Sequence, residues 1–229
     1  YLLPEADASG PRVGRYLLAY QEGVKAYGVS ANHSFGPLNL AVEVSARHNT
    51  ALVNDGITLA PGEVPDKNHP RYPVGDSLHG NLSLLWTLPV TDLFREANLL
   101  GEIAWNRRAR ISENADALAA NATRDAVTMR ALFTPTFRQV MPGLDLDVPI
   151  GIGYSPKARS SVVSSFGVDH GGDLSLGVSA TYLTVWKASA NLTHYFGSGG
   201  TATDAAGHLT FEQSLKDRDF VAFSLSYSF

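Results

Sequence analysis

The chain has 229 residues, 18 Lys and Arg against 22 Asp and Glu, a net charge of −4 and no cysteine. The near balance, without a basic block, excludes nucleic acid as an expected partner. The lack of thiols excludes disulfide, thiolate-metal and cysteine-nucleophile chemistry. Mean hydropathy is −0.06, and no apolar run reaches the roughly 18 residues that a helical membrane span needs.

Residues 1–23 read as a loop and a strand lead-in, with Arg15 to Gly23 either extending the first strand or forming a short helix. About nine strands follow, each alternating apolar and polar residues. They are expected near Val24 to Phe35, Leu38 to Ala51, Ser77 to Leu88, Phe94 to Arg108, Asp125 to Val140, Leu144 to Ser155, Asp173 to Val185, Lys187 to Phe196 and Val221 to Phe229. Successive side chains of a strand point to opposite faces, so each segment has one apolar and one polar side. Pro135 and Pro149 fall inside two of these strands and are expected at β-bulges that bend the sheet, since proline removes a ladder donor.

Connections alternate short and long. Gly36-Pro37, Pro89 to Leu93, Met141-Pro142-Gly143 and the turn near Trp186 are short. Asn54 to Asp76, Ile111 to Arg124, Pro156 to Gly172 and Gly197 to Arg218 are long and polar. The last strand places Val221, Phe223, Leu225, Tyr227 and Phe229 on one side and only Ala and Ser on the other. A water-exposed edge strand with that face would invite aggregation. Lipid outside and water inside require the pattern, and short periplasmic turns with long extracellular loops give the rhythm. The expected fold is therefore all-β, an antiparallel transmembrane β-barrel in the outer membrane of a Gram-negative bacterium. An odd strand count leaves such a barrel incomplete. Residues 1–23 then form an extracellular loop and lead-in, 24–229 form the C-terminal part of one barrel, and the remaining N-terminal strands of the same protein are a required partner. The terminal strand resembles the insertion signal read by the barrel assembly machinery.

Phe35, Trp86, Phe94, Trp105, Phe137, Tyr154, Trp186 and Phe196 lie near strand ends, where interfacial aromatic girdles are expected against outer-membrane lipid and lipopolysaccharide. The polar register collects Glu43, Arg47, His79, Glu96, Glu102, Arg130, Arg138, Asp145, Asp147 and Lys187 as expected lumen-lining residues. Such residues set the field and selectivity of a pore or simply keep its lumen wet. Asp145 and Asp147, two residues apart on one face, have hard-cation spacing but sit beside a turn where acids are common, so no metal is expected. No His-x-x-x-His or His-Glu-x-x-His spacing occurs. Asn32-His33-Ser34 superficially resembles an outer-membrane phospholipase site, but consecutive strand residues point to opposite faces. Neither enzymatic activity nor a cofactor is expected.

Several stretches resemble the C-terminal part of a family of Gram-negative outer-membrane proteins, domain-of-unknown-function family 1302. They are Arg15 to Leu18 with Tyr27 to Ser30, Gly75 to Ser83, Leu174 to Val178, Thr193 to Gly197 and, most specifically, Leu215-Lys216-Asp217-Arg218-Asp219-Phe220 through Phe229. The resemblance implies a barrel encoded near RND-type exporters and hence passage of hydrophobic or lipid-like solutes. The alternatives are a general diffusion porin, a structural or adhesion barrel acting through its loops, and a soluble β-sandwich.

Overall fold

The computed structural model describes residues 2–4, 14–60, 63–66 and 69–229. Among them, β1 (Leu2–Pro4) and β2 (Gly14–Tyr16) form a separate antiparallel pair. The main sheet comprises β3 (Lys25–Phe35), β4 (Leu38–Ala51), β5 (Val74–Leu88), β6 (Glu96–Glu113), β7 (Asp125–Met141), β8 (Leu144–Asp147), β9 (Ile150–Lys157), β10 (Gly171–Tyr182), β11 (Trp186–Phe196) and β12 (Phe220–Tyr227). A single 3-10 turn, Ala115–Ala117, interrupts the loops among the described residues. Each strand pairs antiparallel with its sequence neighbour, and β8 and β9 are two halves of one strand between β7 and β10. The edges are β3 and β12.

The nine expected strands are all present, with three differences. First, β5 begins at Val74 and β6 runs on to Glu113. Their ladder shifts register between Val74 and Gly75 and between Asp76 and Ser77. A bulge flips the alternation, so periodicity stops where the strand continues. Second, Leu17 to Val24 is neither strand nor helix; residues 5–13 of the N-terminal loop lie outside the described residues. Third, the strand expected from Leu144 to Ser155 breaks at Val148-Pro149.

The prolines are not at bulges. Thr136 pairs with Asp147 and Phe133 with Ile150, so the register across the break is unchanged. Pro135 likewise sits in an unshifted ladder opposite Ala97. Each proline forfeits its own donor and keeps its acceptor: Val148 N–H donates to Pro135 O at 3.0 Å, and Gly177 N–H donates to Pro149 O at 2.8 Å. Gly177 leaves room for the ring, since a Cβ there would lie 2.9 Å from Pro149 Cγ. The true irregularity of β7 lies between Phe137 and Met141, where Gln139 adopts φ 48°.

All tight turns lie at one end of the sheet and all long loops at the other. Gly36 and Gly143 take φ 61° and 80° in the first and third turns, a conformation that disfavours a Cβ. The chain exposes 14587 Å². A compact monomer of 24.5 kDa exposes roughly 10,000 Å². The excess is the sheet itself, whose apolar face carries exposed Val29, Val44, Leu82, Ile103, Ile152, Leu176, Leu192 and Phe223.

Most of the buried residues lie at the loop end. Residues 158–170 fold back onto the polar face at the loop end. Ser160 Oγ donates to Asn106 Oδ1 at 2.8 Å, and Gly167 approaches Ser155 so closely that a Cβ would meet its Oγ. Ser77, Asn106, Ala126 and Ser155 of the polar face are buried beneath this cover, with Ser160 and Ser161. Towards the turn end the polar face is open.

Candidate functional site

Cross-strand register places Glu43, Arg47, His79, Glu96, Glu102, Arg130, Arg138, Asp145, Asp147 and Lys187 on one face of the sheet. They form separate groups. Near the turns, Arg138 donates to Glu96 Oε2 and to Asp145 Oδ2, both at 2.9 Å. Asp145 also accepts the Gln139 N–H at 2.8 Å, pinning the β7 irregularity. Asp147 accepts from Thr136 Oγ1 at 2.6 Å. The two aspartates are thus engaged by donors of the chain rather than directed at one common point. His79 Nε2 lies 3.0 Å from Ser77 Oγ.

Arg130 pairs not with its cross-strand neighbour Glu102 but with Asp173, at 2.5 Å. The guanidinium crosses the whole width of β9 to do so. Gly153 lies between them, opposite both Arg130 and Asp173. A Cβ at Gly153 would sit 2.7 Å from Asp173 Oδ1 and 3.7 Å from Arg130 Cζ. Gly153→Val is expected to break this pair and cost about 1–3 kcal/mol through overpacking, read as a lower denaturant midpoint than that of the parent protein.

With Arg130 drawn away, Glu102 keeps only the Asn81 side-chain amide as a donor among the described residues. Glu43, Arg47, Glu102 and Lys187 form no ion pair among the described residues.

One feature of this face escapes periodicity. Leu85, Leu100 and Leu132 break the alternation of β5, β6 and β7. Register makes them immediate neighbours, Leu85 opposite Leu100 and Leu100 opposite Leu132. They are exposed by 43%, 44% and 36%, on the polar side. The row continues into Gly151, which adds no side chain. An open hollow of about 580 Å³ lies over it, walled also by Asn39, Ser83, Glu102 and Arg130. Each leucine sits in an apolar doublet, Leu84-Leu85, Leu99-Leu100 or Leu132-Phe133. That is the only sequence signal, and only the register aligns the three.

On the opposite face, Phe35, Trp86, Trp105, Phe137, Tyr154, Trp186 and Phe196 share the apolar register, as do Val221, Phe223, Leu225 and Tyr227 of β12. Phe94 precedes β6 rather than lying in it, and packs edge-on to Phe133 at 5.6 Å. Trp186 and Tyr227 meet at 4.7 Å and Tyr154 stacks on Phe196 at 6.2 Å. Trp105 is mid-strand, because β6 outruns its expected end, and its Nε1–H donates to Asp125 at 3.3 Å. Phe229 lies beyond β12 and is fully exposed. His33 packs against Phe35 at 4.5 Å on the apolar side, while Ser34 bonds Asn39 on the polar side, so the two side chains point to opposite faces of the sheet.

At the loop end, one carboxylate ties three loops together. Asp55 accepts from His208 Nδ1, Leu209 N–H and Ala120 N–H at 2.9, 2.9 and 2.8 Å. Burial raises the Asp55 pKa, but the Ala120, Leu209 and His208 hydrogen bonds outweigh it and hold the group below its ordinary value. Asn121 adds a bond to Leu209 O at 2.9 Å.

No match is found among curated proteins or solved structures. A family model described as protein of unknown function (DUF1302) matches residues 3–229. That match covers nearly the whole chain and bears out the resemblance carried by the strand and C-terminal motifs: the protein belongs to the DUF1302 family.

Proposed function

We propose that this sheet is part of the wall of an outer-membrane β-barrel that passes hydrophobic or lipid-like solutes, inserted by the barrel assembly machinery and completed by further strands of the same protein. The observation that carries the reading is the segregation of the sheet. One face exposes large apolar side chains along every strand of the main sheet except β8, and the other collects most of the ionisable ones, with Lys25, His33, Arg107, Asp125 and His194 of the apolar register lying towards strand ends. Lipid satisfies the first face and an aqueous interior the second. Tight turns at one end and long loops at the other fit periplasmic and extracellular sides. The leucine row on the polar face favours apolar cargo over ions. An RND-type exporter is the partner that the solute class implies.

The test is reconstitution of the intact protein into phosphatidylcholine vesicles loaded with a hydrophobic fluorophore. Protein-dependent efflux to an external acceptor is expected, without ohmic conductance steps in a planar bilayer. A general diffusion porin is the rival reading, favoured by Arg47 and Lys187, which form no ion pair among the described residues. Reversing both to Glu disturbs no ion pair of the described residues. An open pore then shifts its cation-over-anion preference severalfold, whereas the proposed conduit shows no ion current to shift.

A further inference from the structure

We infer that the Leu85-Leu100-Leu132 row is a binding station for a cationic amphiphile, its alkyl body on the leucines and its protonated amine at Glu102. The inference rests on the conduit reading and names the solute class. Adjacent strands lie about 4.8 Å apart, so the three leucines form an apolar strip with Cα atoms spanning roughly 10 Å. The strip lies across the strands, in the floor of the 580 Å³ hollow. An alkyl chain laid along it displaces water from three partly exposed side chains.

The borders of the strip set the charge of the head group. On the turn side, the next row holds Thr87, Asn98 and Thr134, all neutral, with Thr87 Oγ1 donating to Asn98 Oδ1 at 3.1 Å. On the loop side, Glu102 is two residues from Leu100 on the same face, about 7 Å along the strand. Its cross-strand arginine is committed to Asp173 over Gly153. One register step further, Glu43 stands opposite Asn81, the residue that donates to Glu102. Two carboxylates without an ion pair among the described residues thus flank the strip, and the nearest cation is already neutralised. A carboxylate or phosphate head meets repulsion there. An ammonium head meets an acceptor whose only donor among the described residues is an amide.

These 229 residues hold no cysteine, so Leu100→Cys adds the one thiol of this stretch, and any cysteine elsewhere in the intact protein is first replaced by serine. The intact protein in nanodiscs, carrying a polarity-sensitive fluorophore there or on a neighbouring Ser83→Cys, is titrated with dodecylamine, dodecanol and dodecanoate at pH 7. Dodecylamine is expected to bind at least tenfold more tightly than dodecanoate. Glu102→Gln is expected to bring amine and alcohol to equal affinity. Leu100→Ser with Leu132→Ser is expected to weaken all three at least tenfold, read from the Ser83→Cys label. Equal or tighter binding of dodecanoate overturns the inference. So does a Leu100→Cys thiol that a water-soluble maleimide cannot reach, since the row is then packing for another part of the protein. Binding as described without transbilayer efflux leaves the station in place and overturns the conduit. Efflux that is indifferent to the leucine variants does the reverse.

Discussion

Leu82→Arg is expected to destabilise the membrane-folded protein by about 2–4 kcal/mol, the cost of a basic side chain on the lipid face near the bilayer centre. Ser83→Arg, one residue on, is expected to change stability by less than about 1 kcal/mol. Leu82 lies mid-way along β5 on the apolar side and is exposed by 44%. Ser83 lies on the polar side opposite Glu102, where an arginine gains a counter-charge. A difference this large between adjacent residues follows only if the two faces meet different solvents. In a water-solvated sheet the arginine at position 82 is the harmless one, because it replaces an exposed leucine. Denaturant unfolding of both variants in vesicles, followed by heat-modifiable gel mobility, distinguishes the cases. Equal midpoints contradict the membrane reading.

The second large effect concerns the loops. Asp55→Ala is expected to release the clasp among residues 54–60, 118–122 and 208–213. A hydrogen bond to a charged group contributes about 1.5–3 kcal/mol. Losing three from one acceptor, allowing for non-additivity, amounts to about 3 kcal/mol of local opening, or roughly a hundredfold loss of amide protection. Hydrogen exchange at Ala120 and Leu209, whose N–H groups the carboxylate accepts, reads it directly, while β10 and β11 amides stay protected. Acid does the same reversibly. The Asp55 pKa is lowered in the fold from its ordinary value of 3.8, so the clasp is at full strength above that value and fails as pH falls through the depressed one. Opening of these amides that begins well above pH 3.8 contradicts the assignment to this carboxylate.

Strand number, order of connections and the identity of each face were legible because alternation is a local property. β4 has its expected bounds, Leu38–Ala51, and β12 its expected register. What was illegible depends on pairing. The bulges near Val74 and Ser77 reverse the alternation and hid the loop-side halves of β5 and β6. Proline chemistry pointed to bulges at Pro135 and Pro149, yet an antiparallel ladder tolerates the loss of a single donor when its partner is as small as Gly177. The Arg130–Asp173 pair needs Gly153 placed between two strands that sequence alone does not align. The leucine row is the clearest case. Each leucine is a local breach of the pattern, and three breaches become one strip only through register. The Asp55–His208 bond joins residues 153 positions apart and has no sequence signature.

The most direct test of the spanning wall is a spin-label scan of Leu174, Ser175, Leu176, Val178 and Ser179 in β10, one introduced cysteine at a time, in phosphatidylcholine vesicles; Gly177 is left out because a side chain there meets Asn191 and Pro149. Labels at 174, 176 and 178 are expected to collide with dissolved oxygen and to be shielded from a water-soluble nickel chelate, with the reverse at 175 and 179. Uniform access of the nickel complex to all five positions would contradict the spanning wall.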